Sequence, residues 1–261
     1  MKVDIQINPA YSNLKNFIES IPENFDELGN AKHLGRNHIR IVEVDGKKLV
    51  IKYFKKITSA NRLIYGNLRK SKAKRSYENS LKLLENGIGT PEPVGYIDVY
   101  NNHSLQKSFY VCLFSDYKDI KDLLSKPLSK SEAGMRAFAR LTSKMHHAGI
   151  YHGDYNLSNV LYKFDGENYD FCLIDNNRMK FKRFSLRTGV KNLQRMKLSV
   201  EQMAVIGSEY ANVSHLDSNK VVVGMIFFRK RFTSADTLKF TADVKRFLKN
   251  IIPTTTLLLS R

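Results

Sequence analysis

The sequence predicts an α+β protein with a smaller, sheet-rich N-terminal lobe and a larger, mainly helical C-terminal lobe. Three observations carry this prediction. Before Tyr117 the apolar residues fall in short β-branched runs punctuated by turn signals. After it they recur mostly at helical spacing. The chain has 261 residues, 42% hydrophobic and 26% charged, enough to bury a core and too apolar for a disordered chain.

The elements follow in order. Asn37 to Val44 is a β-branched run, Asp45-Gly46 is a hairpin turn signal, and Lys48 to Phe54 is the return strand. Alternation places Val50, Lys52 and Phe54 on one face, so Lys52 is a candidate inward-pointing charge. Ser71 to Asn86 reads as a helix with a stripe of Ala73, Tyr77, Leu81 and Leu84, closed by Gly87. Glu78 lies at the edge of that stripe. GTPEPVG breaks the chain, and two strands follow around Asn101-Asn102, the second from Ser108 to Phe114. Ser129 and Glu132 make a capping-box pattern before a helix that ends near Gly149. A hairpin follows, Val160 to Phe164 and Tyr169 to Ile174 about an Asp165-Gly166 turn, and the rest is helical and basic.

Lys and Arg total 43 against 25 Asp and Glu, a net charge of +18. Such an excess draws an anionic partner: nucleic acid, an anionic membrane face or a phosphorylated substrate. A merely basic soluble protein also fits. No 18-residue apolar run exists, so no transmembrane helix is expected, and MKVDIQINPAYSN has no apolar segment of the kind that directs secretion. Cys112 and Cys172 sit in strand-like apolar runs and read as buried thiols in a reducing cytoplasm. His146, His147 and His152 lack the spacing of a zinc site, so no zinc is expected.

The most informative segment is YHGDYNLSNVLYKFDGENYDFCLIDNNR. Asp154 lies in the loop before the hairpin, Asn159 at the hairpin's entrance and Asp175 at its exit. Entrance and exit of an antiparallel hairpin share one end, so the three oxygen-bearing side chains are expected at one rim. Magnesium takes hard oxygen ligands and keeps waters and phosphate oxygens in its shell, which Asn159 and Asp175 suit. Asp154 suits the acceptance of a hydroxyl proton in phosphoryl transfer. Taken one at a time, Asp154 and Asn159 also fit turn residues, and Asp175 a strand terminator.

The pattern resembles the catalytic loop and metal-binding motif of the protein-kinase-like superfamily. That resemblance implies a bilobal protein-kinase-like fold, with Asp154 as base and Asn159 and Asp175 as Mg2+ ligands. It also implies that Lys52 is the lysine that binds the phosphates of ATP and Glu78 its helix partner. Alone, Lys52 also fits a solvated strand lysine, and Glu78 a surface glutamate. Departures are plain. The loop reads His-Gly-Asp rather than His-Arg-Asp, the metal motif reads Asp175-Asn176-Asn177 rather than Asp-Phe-Gly, and no Ala-Pro-Glu follows. Gly153 offers no arginine to an activation-loop phosphate. Gly29 and Gly35 flank NAKHL, which assigns the phosphate-covering loop to residues 29 to 36 without the three-glycine pattern, and the segment also fits a plain strand turn.

More narrowly, LGRNHIRIVEVDGKKLVIKYFK, KAKRSYENSLKLLENGIGTPEPVGYI, YHGDYNLSNVLY and LIDNNRMKF resemble the lipopolysaccharide kinase family of Kdo and heptose kinases, over roughly positions 30 to 200. The resemblance implies a nucleotide-binding lobe over 1–115 and a catalytic and acceptor-binding lobe over 116–261. It implies transfer of the ATP γ-phosphate to a sugar hydroxyl of the lipopolysaccharide inner core, at the cytoplasmic face of the bacterial inner membrane. The expected partners are the lipid A core acceptor and the anionic membrane surface, with no nucleic acid, and a monomer is expected.

Two basic clusters fit such partners. Lys55, Lys56, Arg62, Arg69, Lys70, Lys72, Lys74 and Arg75 surround Ala60, Leu63, Ile64 and Leu68, which suits a helix starting at Thr58 and lying on a membrane. Arg178, Lys180, Lys182, Arg183, Arg187, Lys191 and Arg195 follow Asp175, and Arg178, Lys180 and Arg183 are candidate acceptor ligands. Both clusters also fit solvated surface. Two other functions fit the chain: a small-molecule or atypical protein kinase of the same superfamily, and a non-catalytic basic module that binds membrane or RNA. Intact Lys52, Asp154, Asn159 and Asp175 weigh against the second.

Overall fold

The computed structural model describes residues 2–34, 37–55, 69–102 and 104–232. Gly35, and the helix expected from Thr58 with Lys56 and Arg62, lie outside the described residues. The chain divides into two compact units, residues 1–117 with 172–179, and residues 118–171 with 180–261.

The first unit is built on a six-stranded antiparallel sheet. Its strands are β1 (Lys2–Ile7), β2 (Asn30–Leu34), β3 (His38–Val44), β4 (Lys47–Tyr53), β5 (Pro93–Asn101) and β6 (Ser104–Leu113), in the order β1-β5-β6-β4-β3-β2. The Asp45-Gly46 turn sets the β3–β4 register, with both residues at positive φ as a tight hairpin turn requires. That register puts Leu49 and Ile51 on one face, where they pack with Leu14, Ile18 and Ile21. Those three come from a 3-10 turn (Pro9–Leu14) and α1 (Lys15–Asn24), which the sequence reading left unassigned together with β1. The opposite face carries Val50, Phe54, Tyr96, Tyr110 and Cys112 against Ala73 and Tyr77 of α2 (Lys72–Glu85).

Two expectations for this unit need correction. Residues 30–34 form strand β2, paired to β3 with a bulge between Ala31 and His33, so 29–36 is not a continuous loop. Gly29 precedes that strand at φ +42, and a Cβ there would collide with the Ile41 carbonyl oxygen. Glycine is needed there for backbone packing against β3. The buried face of α2 is Ala73, Ser76, Tyr77, Asn79, Ser80 and Leu83, whereas Leu84 is exposed. Three of these positions are polar, which hid them from an apolar count.

The second unit begins with β7 (Lys118–Asp119), α3 (Ile120–Leu124) and the long α4 (Leu128–His147). The capping box expected at Ser129 and Glu132 does not form. α4 starts after Pro127 without a side-chain cap, and Glu132 instead pairs with Arg136 one turn on, at 2.7 Å. Proline's fixed φ already suits a helix entrance, which moves the start ahead of Ser129. Gly149, at φ +72, ends the helix and accepts a bond from the Lys182 amide at 2.8 Å. β8 (Ile150–Tyr151), β9 (Val160–Phe164), β10 (Tyr169–Leu173) and β11 (Lys180–Phe181) follow. β10 runs on into the first unit at Cys172. β11 pairs with β8, Lys180 opposite Tyr151. α5 (Leu186–Asn192), α6 (Val200–Val213) and α7 (Ser218–Phe232) complete the unit. Phe138, Met145, Tyr155, Met203, Ile206, Tyr210 and Met225 are buried in it.

Candidate functional site

In the first unit Lys52 projects from β4 on the face shared with Phe54, whose ring lies 5.2 Å from the ammonium. Lys52 Nζ donates to Asp175 Oδ1 at 2.8 Å. Asp175 follows β10 and holds a left-handed backbone, φ 60 and ψ 48, unusual for a non-glycine residue. The Asn177 side-chain amide also donates to Asp175 Oδ1. Asn176 anchors the segment from below. Its amide donates to Ser80 Oγ at 3.0 Å and Thr90 Oγ1 at 2.8 Å, and its carbonyl accepts from Asn79 Nδ2 at 2.7 Å. Thr90 in turn donates to the Leu173 carbonyl at 2.8 Å. These buried bonds hold the chain on both sides of Asp175.

Lys72, at the start of α2, has its amine pushed down first by burial, then by the charges of Arg178 and Arg75. Glu78 is not the partner of Lys52. It pairs with Lys70 at 2.8 Å, because Asn79, one residue further round the helix, takes the inward position. One step along a helix turns a side chain through about 100°.

In the second unit Asp154 lies between β8 and β9. Its amide donates to His152 Nδ1 at 3.1 Å, and its carbonyl accepts from Asn159 Nδ2 at 2.8 Å. The loop thus holds Asp154 and Asn159 as one piece. Tyr155 is fully buried, its hydroxyl 2.8 Å from Thr142 Oγ1 of α4, which pins the loop to the core. Arg195 Nη1 donates to Asp154 Oδ1 at 2.9 Å. Arg195 comes from a 3-10 turn (Leu193–Arg195) after α5, 41 residues away, and sequence spacing gave no sign of this contact.

A further chain of bonds supports the loop. Asn192 Nδ2 donates to the His152 carbonyl at 2.8 Å, so Asn192 Oδ1 faces His146 Nε2, 3.0 Å away. An amide oxygen can only accept, so Nε2 carries the proton and Nδ1 accepts from the Tyr210 hydroxyl at 2.9 Å. Burial lowers the His146 pKa to about 4, which keeps the ring neutral in this arrangement.

All three candidate acceptor ligands are exposed. Arg178 belongs to the first unit. Lys180 and Arg183 belong to the second, and Lys180 lines a cavity that also reaches His152 and Arg195. Among the described residues no three His, Cys, Asp or Glu side chains cluster as a metal cage. Magnesium in a phosphoryl-transfer site does not need one, since a carboxylate and an amide oxygen complete its shell with phosphates and water. Asp175 and Asn159 are oxygen donors of that kind.

A half-buried strand lysine paired with an aspartate, and an aspartate and asparagine fixed in a loop before a hairpin, are features of a protein-kinase-like fold. Two solved structures share it. One, WaaP in complex with acyl carrier protein, superposes with TM-score 0.62 at 18% identity, over 87% of this chain and 97% of that one. The other, a complex of Rio2 kinase from Chaetomium thermophilum with ADP/Mg2+ and phosphoaspartate, superposes with TM-score 0.50 at 16% identity, over 92% of this chain and 77% of that one. No curated protein matches the sequence. The lipopolysaccharide kinase (Kdo/WaaP) family matches residues 24–242, and the chain belongs to that family. It is therefore a phosphotransferase of the lipopolysaccharide kinases.

Proposed function

We propose that the chain transfers the γ-phosphate of ATP to a hydroxyl of a Kdo or heptose residue in the lipid-anchored lipopolysaccharide inner core. The observation that carries this reading is the Lys52–Asp175 ion pair, which joins residues 123 positions apart within the first unit. In this reading residues 1–115 form the nucleotide-binding lobe and residues 116–261 the catalytic and acceptor-binding lobe.

Lys52 neutralises charge on the ATP phosphates, and Asp175 and Asn159 would hold Mg2+. Bound there, the ion supplies charge neutralisation to the phosphates. Asp154 receives the proton of the acceptor hydroxyl as its oxygen bonds to the γ-phosphorus. The bond from that phosphorus to the bridging oxygen breaks, and ADP leaves. Glu78 has no part, since Lys70 takes its carboxylate.

The net charge of +18 supports attraction to an anionic membrane, where each basic residue near the surface contributes about 1 kcal/mol. No helix among the described residues is long and apolar enough to cross a membrane, and the reading has the protein bind peripherally at the cytoplasmic face. The WaaP structure contains acyl carrier protein, which supports testing that protein as a partner here.

Mass spectrometry of lipid A–core from cells with and without the gene tests the reaction. Loss of one phosphate, restored by the wild-type gene and not by Asp154→Ala, is the expected result. An unchanged core, or rescue by the variant, overturns the reading.

A further inference from the structure

Beside Asp154, wholly within the second unit, lies a cavity of about 220 Å3. That is room for roughly seven waters at about 30 Å3 each, the scale of a sugar ring with one substituent. Lys180, Lys182, Lys191 and Arg195 line it, and no aspartate or glutamate does. Lys180 is held by the pairing of β11 to β8, and Lys182 by its backbone bond to Gly149. Lys191 sits in the last turn of α5, where a cation is favoured in any case. Lys180 and Lys182 have no such local reason. None of the three has a carboxylate partner among the described residues, and Arg195 is the only one of the four that has. Like charges gathered around one space repel, and an anion placed between them offsets that repulsion.

Arg195 connects this space to the reaction. The same side chain lines the cavity and donates to Asp154 Oδ1 at 2.9 Å. A general base must come within about 2.6–3.2 Å of the hydroxyl it deprotonates. A ligand seated among the lysines therefore brings its neighbouring hydroxyls towards Asp154, and Thr188, Asn192 and Gln194 offer polar contacts along the wall.

We propose that this cavity is the subsite for an anionic substituent of the acceptor, a carboxylate or a phosphate, bound by Lys180, Lys182 and Lys191. Arg195 is the positioning residue that ties the bound group to Asp154. The proposal rests on the reading of Asp154 given above. Lysines act as mobile point charges and do not demand a planar or a tetrahedral anion, so the shared chemistry is charge. Of the three residues expected to bind the acceptor, only Lys180 keeps that role. Lys182 and Lys191 take the places of Arg178 and Arg183, neither of which lines the cavity.

The test measures transfer from radiolabelled ATP by the full chain to four lipids. They are Kdo-bearing lipid A, the same lipid with its Kdo carboxyls reduced to alcohols, a heptose-bearing core with its phosphates, and the same core dephosphorylated. The wild type is expected to favour the charged member of one pair, and which pair identifies the anion. The double variant Lys180→Gln/Lys191→Gln is expected to raise the KM for that lipid by about 100-fold, the effect of two lost charged hydrogen bonds at about tenfold each, and to erase the preference. The KM for ATP serves as internal reference, and Lys130→Gln, outside the cavity, is expected to keep the wild-type KM. Arg195→Gln is expected to lower kcat more than it raises KM, with partial recovery in Arg195→Lys. Indifference of the wild type to charge in both pairs, or a wild-type KM in the double variant, overturns the inference and leaves the kinase reading standing. Transfer to none of the four lipids overturns the glycolipid reading itself.

Discussion

Lys52 Nζ lies 2.8 Å from Asp175 Oδ1, and the two side chains are 15% and 32% exposed. A pair with this much solvent contact contributes little to stability, so its purpose is placement of charge. Lys52→Met is expected to lower the rate of phosphate transfer at least about 100-fold, the scale of losing one group aimed at transition-state charge. The melting temperature should move by only a few degrees. Radiolabel transfer and differential scanning fluorimetry on one preparation check both halves. Melting that falls together with activity would recast the pair as structural.

Glu78 and Asn79 are adjacent on α2 and should behave oppositely. Glu78 is tied to Lys70 at the surface, so Glu78→Gln should change stability by no more than about 0.5 kcal/mol and leave transfer near wild type. Asn79 holds the Asn176 carbonyl beneath Asp175, and Asn79→Ala removes that bond and leaves the carbonyl only the Met179 amide at 3.2 Å. A loss of about 0.5–1.5 kcal/mol in urea denaturation is expected, with a fall in kcat from a loosened Asp175. A strong activity loss in Glu78→Gln would restore it as the partner of Lys52.

The contrast between these two residues marks how far the sequence could be read. Lys52, Asp154, Asn159 and Asp175 stood out because each is a chemistry-bearing residue at a strand or loop boundary. The β3–β4 and β9–β10 hairpins were visible in their Asp-Gly turns. The inward face of α2 was not visible, because Ser76, Asn79 and Ser80 are polar, and Asn79 and Ser80 find their partners 30 to 97 residues away. Arg195 was named among the basic residues after Asp175, but its bond to Asp154, 41 residues away, had no sign in the spacing. Tyr155 offered a clue: a lone large aromatic inside a polar loop usually has somewhere to be buried. β1 and α1 were legible in principle, since Val3, Ile5 and Ile7 alternate with polar residues and Leu14, Ile18 and Ile21 recur at helical spacing, whereas Pro22 in α1 reads as a helix breaker.

His146 makes the loop around Asp154 sensitive to acid. Its pKa is lowered to about 4 by burial, against about 6.5 in an unfolded chain. The unfolded state therefore binds more protons between these values, and stability falls as pH drops from 6.5 towards 4. The full effect is on the order of 3 kcal/mol. Protonation would also place a hydrogen on Nδ1, which now accepts from Tyr210. His146→Gln should remove this contribution, so the variant should lose less stability than wild type on acidification from pH 6.5 to 4, and urea titrations at intervals of one pH unit would detect it. An unchanged slope in the variant would remove His146 as its source.

Asp98 should act in the opposite direction over an overlapping range. It is fully buried on β5, close to the start of α2, and burial pushes its carboxyl up to about 6 from an ordinary 3.8. Neither oxygen has a well-formed hydrogen bond, and the Ser71 and Ser108 hydroxyls pull the pKa down only in part. Asp4 nearby raises it and Lys74 lowers it. Here the native state binds more protons than the unfolded one between about 4 and 6, so stability falls as pH rises through that window and is level above it. A shift of about two units corresponds to roughly 3 kcal/mol, close to the His146 effect and of opposite sign. The wild type should therefore look nearly flat from pH 4 to 6. Asp98→Asn removes the opposing slope, so the variant should be more stable than wild type at pH 7 and lose stability steeply on acidification. In His146→Gln the remaining slope should instead make the protein more stable at pH 4 than at pH 6. Urea titrations of the two variants beside wild type separate the contributions, and parallel profiles in all three would show that neither group governs the acid response.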